Sequence, residues 1–479
     1  MKKTLTLLCL SVGVCICLNG CVPHKQAYQQ PNLPTAPAWH TGVAEQRQTQ
    51  TTSVVSAAAD TKWRDFYLDD KLRGVIALAL KNNRDLRIAA LNVEQAQAQY
   101  RLQRANLFPK VNATANTDST HTPGETESTI IGYPVKSSTY TTYQVGGAVS
   151  SWELDFFGRL RSLTKQQQEL YLASDLGRTN AQIALISSIA SQFLAVGSDQ
   201  DLLSLAQATL QSQKAAYDLA RFSRDRGVKS DLDVSEALSQ VQSAQVDVAK
   251  YSRQLNVDKN ELEVLAGAPV PPDFLPNELL TDTALQDISA GLPSEVLLRR
   301  PDILEAEHNL KSAYANIAAA RAAFFPQITL TSNAGTATAA LTSLFGAGTA
   351  AWEFAPQLSL PIFDGGSRRA NYTIAQVQRD SYVAEYEKAI QVAFQEVSDG
   401  LNGRVRLQEE EEAQQAEVKA LAETYRLSEA RYKGGIDTYL NVLDAQRALY
   451  AGQQSLINVR YSRLSNLVTL YKSLGGGTQ

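Results

Sequence analysis

Between Ser367 and Lys433 the apolar and small residues recur three, then four, positions apart: Val383, Tyr386, Ile390, Ala393, Val397 and Gly400, and again Val418, Leu421, Tyr425, Ser428 and Tyr432. That spacing is the heptad seam of a coiled coil. No proline interrupts the stretch, so it predicts one helix of about 65 residues, roughly 100 Å long at 1.5 Å per residue. The chain turns back at Gly434-Gly435-Ile436-Asp437-Thr438, and the rhythm resumes at Val442, Ala445, Leu449, Gly452, Leu456 and Val459. The returning arm ends near Gly475 after only about 55 Å. The long arm therefore needs a second partner.

That partner comes from a duplication. A spacing of 208 relates Tyr217, Leu219, Gly227, Val228, Leu232, Val234, Ala237 and Gly267 to Tyr425, Leu427, Gly435, Ile436, Leu440, Val442, Ala445 and Gly475. Upstream, a spacing of 217 relates Asp85, Asn92, Ala96, Arg104, Phe108 and Pro109 to Asp302, Asn309, Ala313, Arg321, Phe325 and Pro326. Constant offsets over two segments indicate two tandem structural repeats, each helix, strand, strand, long helix, tight turn, short helix. Repeat 1 is read as 63-268 with its tip turn at 227-230, repeat 2 as 293-475 with its tip turn at 434-438, and 269-292 as a proline-rich linker.

Between the helices the period changes to two. Strands are predicted at about 111-121, 139-154, 327-340 and 350-363. Val111, Ala113 and Ala115 alternate with Asn112, Thr114 and Asn116, and Trp352, Phe354, Leu358, Leu360 and Ile362 alternate with Glu353, Gln357 and Ser359. Alternation of this kind suits a membrane β-barrel with one face in lipid and one in water; taken alone it favours a half-buried soluble sheet, and the lipid anchor read at the N-terminus and the long rods turn the reading to the barrel. Four strands cannot close a barrel, and open edges in lipid leave backbone groups unsatisfied. Copies must therefore combine. Three copies give a 12-stranded transmembrane barrel wide enough for water, where eight strands would be filled by side chains. Four staves from each of three chains would continue it as a 12-helix α-barrel, the first and third short helices, about 35 residues each, stacking end to end along the long ones. The fold class is thus mostly α with membrane β. Gly158, Gly365 and Gly366 stand where strand passes to helix and are read as hinges.

Composition narrows the possible functions. The formal net charge of −4 becomes −6 once Lys2 and Lys3 leave with the leader, and no basic cluster suits nucleic acid. Residues 1-20 read as a signal segment: Lys2-Lys3, an apolar run from Leu5 to Leu18, then Leu18-Asn19-Gly20-Cys21. This last run resembles a bacterial lipobox, which would make Cys21 the acylated first residue of the mature chain. Val22 after it favours sorting to the outer membrane by the same resemblance. All four cysteines lie within the first 21 residues, leaving no disulfide or Cys-metal site. Residues 21-62, with Pro23, Pro31, Pro34 and Pro37, read as an extended tether that wraps a surface or stays mobile.

No catalytic motif is present. His24 and His40 fall in the tether, His121 in a loop, and His308 follows Glu307 on a helix without a metal-binding frame. The run from Glu409 to Glu412 reads as a solvated helix face. The residues of most interest cluster near the turns. Leu440 and Asp444 share a helix face, with Arg447 one turn on, and Leu232, Glu236 and Ser239 correspond to them in repeat 1. Repeated threefold, such residues could form rings that narrow a bore; the plainer reading is an i,i+3 surface pair between Asp444 and Arg447. The turns Gly227-Val228-Lys229-Ser230 and Gly434 to Thr438 are candidate docking points for a partner's helical hairpin.

The lipobox, the duplicated helix ending in Phe-Pro, the run Trp152-Glu153-Leu154-Asp155-Phe156-Phe157-Gly158-Arg159-Leu160-Arg161, the run from Leu298 to Ile303, and Tyr439 to Arg447 together resemble outer-membrane factor lipoproteins of the OprM type, in the TolC-like superfamily. The resemblance covers nearly the whole chain after the leader. It implies a homotrimer in the outer membrane of a Gram-negative bacterium, with a large periplasmic portion and a passive exit duct of a tripartite multidrug efflux system. A periplasmic adaptor and a proton-driven inner-membrane RND transporter would be its partners. It implies no cofactor beyond the N-acyl and S-diacylglycerol groups on Cys21, a gate at Leu440 and Asp444, and a role for Arg447 in holding the tip closed. A duct for type I protein secretion and a closed coiled-coil scaffold without a pore are the alternatives.

Overall fold

The computed structural model describes residues 28, 30–31, 34–35, 39, 61–123, 137–286 and 297–477. Cys21, the leader, His24, His40 and most of the tether lie outside the described residues. The elements run α1 (Asp70–Asn82), α2 (Arg84–Ala105), β1 (Val111–Thr122), β2 (Ser138–Glu153), α3 (Arg159–Asp225), α4 (Asp231–Ala266), α5 (Pro301–Ala322), β3 (Gln327–Thr338), β4 (Ala350–Ser359), α6 (Ser367–Lys433) and α7 (Tyr439–Ser473). A single helical turn, Trp63–Phe66, precedes α1. Both α3 and α6 are unbroken over 67 residues. The chain divides into two compact units, one holding 94–173 and 307–385, the other 32–93, 174–306 and 386–479.

In the first unit the strands form one antiparallel sheet in the order β1-β2-β3-β4. Residues paired across antiparallel strands share a face, so the register sorts the side chains. Val111, Ala113 and Ala115 lie with Val149 and Val145. Trp152 joins them opposite Leu330, and Ile328, Ser332 and Ala334 bring in Leu358, Phe354 and Trp352. The other face carries Asn112, Asn116, Asp118, Gln144, Glu153, Thr329, Asn333, Glu353 and Gln357, with Asn333 donating to Glu353 Oε2 at 2.8 Å. Trp352 is 79% exposed and Leu358 65%, so within the chain the apolar face is uncovered.

A β-bulge between Val149 and Trp152 makes this sorting possible. Ser151 takes a positive φ of 54° there, and the extra residue turns Trp152 onto the apolar face that strict alternation would have denied it. Strand ends also differ from expectation. β4 stops at Ser359, so Leu360 and Ile362 are not strand residues; Pro361 has no N–H to continue the ladder. His121 belongs to β1 rather than a loop, its Nδ1 3.0 Å from Thr139 Oγ1.

The second unit is a helical bundle around Phe66, Tyr67, Leu72, Ile76, Ile186, Ile189, Phe193, Leu262, Val397, Val468 and Tyr471. The ring of Tyr471 stacks on Phe66 at 3.9 Å, and its hydroxyl donates to the Thr61 carbonyl at 2.7 Å. The middle of α3 is apolar enough to cross a membrane, but 61% of that stretch is buried inside the protein, which makes it core. The seam residues Tyr386, Ile390, Ala393 and Val397 are buried, while Val418, Leu421, Tyr425 and Tyr432 nearer the turn are half-buried. Gly452 lets α7 approach α6 closely, since a Cβ there would sit 2.8 Å from Leu421 Cδ1.

The expected first helix is in fact two. It breaks at Asn83, whose Oδ1 accepts from Leu86 N–H at 2.8 Å, capping α2. The Asn83 amide also donates to the carbonyl of Leu265 at 2.8 Å, near the end of α4. At the equivalent joint of repeat 2, Arg300 donates to the Ser473 carbonyl at 2.7 Å, while also holding Asp302 and Glu396 at 2.7 Å each. Asn83 and Arg300 differ by 217 and Leu265 and Ser473 by 208, so one joint is built twice from different side chains. The third short helix, α5, has 22 residues rather than about 35. The linker is not loose over its described part: Val270, Leu279 and Leu285 are buried, and Tyr67 bridges to Leu285. Trp39 of the tether stacks on Phe394 at 5.1 Å.

Two expectations follow. Arg300→Ala strands Asp302 and Glu396 beside an unsatisfied helix end, so it should lower stability by roughly 3 kcal/mol, against about 1 kcal/mol for Asn83→Ala; helical circular dichroism against denaturant reads both. Asp199 on α3 is buried and faces Asp258 on α4; burial first, then this neighbouring carboxyl, pushes its carboxyl up to about 7. A carboxyl raised above its unfolded value near 4 favours the folded state fully at acid pH and loses that contribution as pH rises through 7. Asp199→Asn should therefore raise the melting temperature at pH 8 and leave it nearly unchanged at pH 4, measured across one pH series.

Candidate functional site

Each long helix ends in the same backbone device. After α3, Gly227 takes φ 73°, its N–H reaching the Arg224 carbonyl at 2.8 Å while Val228 N–H reaches Ser223 at 3.0 Å. After α6, Gly435 takes φ 69°, with Gly435 N–H to Tyr432 and Ile436 N–H to Arg431, both at 3.0 Å. These paired bonds are Schellman closures, which need a left-handed residue. Nothing lies within 4 Å of a Cβ built at either glycine, so torsion and not space demands glycine. Gly434, by contrast, still makes a helical bond to Ala430 at 3.0 Å.

The entries to the returning helices differ. Ser230 caps α4 in a reciprocal box with Asp233, whose carboxyl is held low chiefly by the Ser230 hydroxyl and N–H. Thr438 makes no side-chain cap on α7. There Asp437 does the work, accepting from Thr438 N–H at 3.0 Å, from Arg431 at 3.2 Å and from Asn441. Its carboxyl is likewise held low, by the Thr438 N–H first. The two turns meet through Lys229, whose ammonium stands over the rings of Tyr432 and Tyr439 at 5.2 and 4.6 Å, themselves 5.3 Å apart.

The structure brings only some of the expected gate residues together. Leu440 is 54% exposed and Asp444 is exposed, whereas Val442 and Leu443 between them and Ala445 after them are buried. The face carrying Leu440 and Asp444 is thus unpacked within the chain. Arg447 stands 3.6 Å from Asp444 and also donates from Nε to Gln240 Oε1 at 3.2 Å. In repeat 1, Leu232 is 67% exposed, while Glu236 is half-buried beside Tyr439, where it adds to the forces that raise the phenol's pKa, burial being the first.

Two rungs between α4 and α7 went unread in the sequence. Tyr450 Oη reaches Asp247 Oδ2 at 3.2 Å and Gln454 donates to Tyr251 Oη at 2.9 Å, above the Arg447–Gln240 rung. Burial and Asp247 raise the Tyr450 phenol, which stays the donor. Their signal was the repeat itself, because equivalent helices packed together place contacts near the repeat period.

At the strand-to-helix passages, Gly158, Gly365 and Gly366 have φ of 79°, 62° and 89°. Asp155 accepts from Arg161 N–H at 2.8 Å and Asp364 from Arg368 N–H at 3.1 Å, each capping the helix that follows. Of the remaining expectations, His308 is an interhelix residue, its Nδ1 2.6 Å from Glu169. The acidic run is only partly solvated, because Glu411 is buried between Arg460 at 3.2 Å and Arg463 at 2.6 Å. Among the described residues no cluster of His, Cys, Asp or Glu could hold a metal.

A sheet with one apolar and one polar face, passing through left-handed glycines into long-helix hairpins, is the fold of an outer-membrane channel. The chain belongs to the Outer membrane efflux protein family, whose profile matches residues 75–268 and again 292–476. It is 46% identical over 477 residues to the toluene efflux pump outer membrane protein TtgC of Pseudomonas putida, covering 99% of this chain and 96% of that one. Among solved structures, a membrane protein from Pseudomonas aeruginosa superposes with a TM-score of 0.87 at 37% identity, covering 95% of this chain and 97% of that one. The open state of the MtrE outer membrane channel of Neisseria gonorrhoeae gives 0.82 at 35%, covering 96% and 98%. The family is one of efflux proteins, not enzymes.

The caps make the tip testable. Ser230→Ala should cost about 1 kcal/mol locally, seen as faster amide exchange over residues 228–236 with an unchanged global melting temperature.

Proposed function

We propose that this protein is the outer-membrane exit duct of a tripartite efflux pump of the RND type, passive in itself and gated at its periplasmic tip. The observation that carries the reading is the register of the sheet: its apolar face suits lipid, its polar face suits a water-filled lumen, and its two outer edges call for further strands. Three copies supply a 12-stranded barrel and a 12-helix α-barrel, seated in the outer membrane and anchored by lipid on Cys21. Kinship with a toluene pump component supports small apolar and amphipathic solutes as cargo.

Within this reading, Leu440 and Asp444, unpacked in the single chain, project rings into the bore, and Leu232 and Glu236 contribute from repeat 1. Arg447 ties Asp444 to Gln240 and so holds the returning helices together. The turns at Gly227-Val228-Lys229-Ser230 and at Gly434 to Thr438 present exposed knuckles to a periplasmic adaptor; Val228 is 79% and Ile436 69% exposed. Gly158, Gly365 and Gly366 act as the joints between membrane and periplasmic parts.

Planar-bilayer recording of the purified full chain tests this. The double variant Leu440→Ala with Asp444→Ala should raise basal conductance several-fold over wild type, since both rings are removed. A folded, inserted assembly that never conducts, even as Asp444→Ala, rejects the channel; unchanged conductance in the double variant rejects the gate alone.

A further inference from the structure

Lysine and arginine keep out of the sheet and gather at one end of it. None of the four strands contains either residue. β1 and β3 leave from the end to which β2 and β4 return, so residues 101–110, 154–165, 321–326 and 360–370 flank that end, where the helices attach. These segments hold nine Lys or Arg against two Asp, in a chain of formal net charge −4.

Four of the nine are held by carboxylates of the chain: Arg159 by Glu153 at 2.6 Å, Arg161 by Asp155 at 3.1 Å, Lys165 by Glu169 at 2.6 Å and Arg368 by Asp364 at 2.7 Å. Arg101, Arg104, Lys110 and Arg369 are exposed and pair with no carboxylate among the described residues; Arg101 donates to the neutral Gln97 at 3.1 Å. These four flank the two edge strands, because α2 leads into β1 and α6 follows β4. Where β2 meets β3 inside the sheet, the same positions carry less charge. The equivalents of Arg101 and Lys110 at the spacing of 217 are Ala318 and Gln327, and both arginines that open α3 hold carboxylates.

The apolar neighbours decide what these cations face. The N–H groups of Leu107 and Phe108 bond to the Arg104 and Ala105 carbonyls at 3.1 Å, which carries the winding of α2 on to Phe108. Arg101, Arg104 and Phe108 therefore share a face. Phe108 is 61% exposed, and past β4 Ile362 is 93% and Phe363 91% exposed. A water-filled bore would leave these side chains wet. A second copy of the chain brings to this end only Asp155 and Asp364, both already taken. Apolar side chains beside long cationic ones suit a membrane–water interface, with ring and stem at the hydrocarbon boundary and charge among the headgroups.

We propose that Arg101, Arg104 and Lys110, with Arg369 of the partner subunit, form a headgroup site for anionic phospholipid at each junction between copies. This rests on the trimeric barrel proposed above, in which the two edges of the sheet come together. The phosphodiester oxygens accept charge-assisted bonds from the guanidinium groups, and the bound anion offsets the repulsion among like charges that assembly brings near one another. The lipid is thus part of the junction as well as its solvent.

The full-length protein in phosphatidylcholine bilayers, probed with spin-labelled phosphatidylglycerol and spin-labelled phosphatidylcholine, tests this by electron spin resonance. Wild type should hold phosphatidylglycerol several-fold more strongly at low salt, since one cation near an anionic surface is worth about fivefold. Most of that preference should vanish at about 1 M salt. Arg101→Gln with Arg104→Gln and Arg369→Gln should bring the two lipids near parity, whereas Lys214→Gln with Arg221→Gln, exposed on α3 towards its turn, should leave the preference unchanged. Phosphatidylglycerol should also raise the temperature at which the wild-type trimer dissociates by several degrees, and not that of the triple variant. A triple variant that keeps the preference overturns the site, as does a wild type that slows both lipids equally. Should the triple variant fail to assemble, a wild-type preference that survives high salt overturns it instead. A wild type that slows no lipid at all fails the membrane barrel itself.

Discussion

Backbone hydrogen bonding at the two edges of the sheet is the constraint from which the rest of the structure follows. β1 and β4 each have a neighbour on one side only. In water such edges would be a hazard for aggregation; in hydrocarbon they would leave several kcal/mol per group unsatisfied. An uncovered face bearing Trp352, Phe354 and Leu358 excludes water as the surroundings of the outer surface, while Asn333 bonded to Glu353 excludes lipid from the inner one. On the proposed reading, a closed barrel meets both conditions together. Under that reading the helices inherit the closure, since each long helix begins within eight residues of a strand's end.

The duplication shows which parts of this design are fixed by physics and which are negotiable. The left-handed glycine and its two closing bonds are the same at both turns, because no other arrangement of an L-residue satisfies them without strain. The caps are not: a Ser230–Asp233 box serves one turn and Asp437 the other. The joints between short helices likewise use a neutral amide at Asn83 and a buried guanidinium at Arg300. What is shared is the requirement that terminal carbonyls find a donor; the donor's identity is free.

How much of this the sequence disclosed depended on whether a feature was periodic. The seams of α6 and α7, the repeat, the left-handed glycines and the four strands all follow from spacing, and each is found. The bulge at Ser151 was not legible, because one inserted residue leaves the alternation on either side intact and shifts only their phase. The break at Asn83 carried a weak signal, an asparagine three residues before Leu86, outweighed by the apolar rhythm continuing across it. Leu360 and Ile362 kept the strand pattern, but Pro361 between them denied the ladder a donor. At the tip, helical spacing put Leu440 and Asp444 on one face, and both are exposed, whereas the Tyr450–Asp247 rung required knowing that α4 packs on α7. Glu411 was misread for the same reason: its partners Arg460 and Arg463 belong to another helix.

The strengths of these contacts differ in a way that matters for a gate. Arg300 is almost wholly buried and makes charge-assisted bonds on three sides, so the joint it closes opens only with the bundle. Around Leu440 the contacts are exposed: the Asp444–Arg447 pair stands at 3.6 Å with both side chains more than half exposed, and such pairs contribute at most about 1 kcal/mol. The Lys229 cation over two tyrosines is worth about the same at an exposed site. On the proposed reading, a tip tied by a few contacts of this size is held shut by their sum, and a docking partner offering comparable contacts to the same side chains replaces them one by one. Under that reading a buried joint at the tip would keep the duct permanently closed, and no joint at all would leave it permanently open.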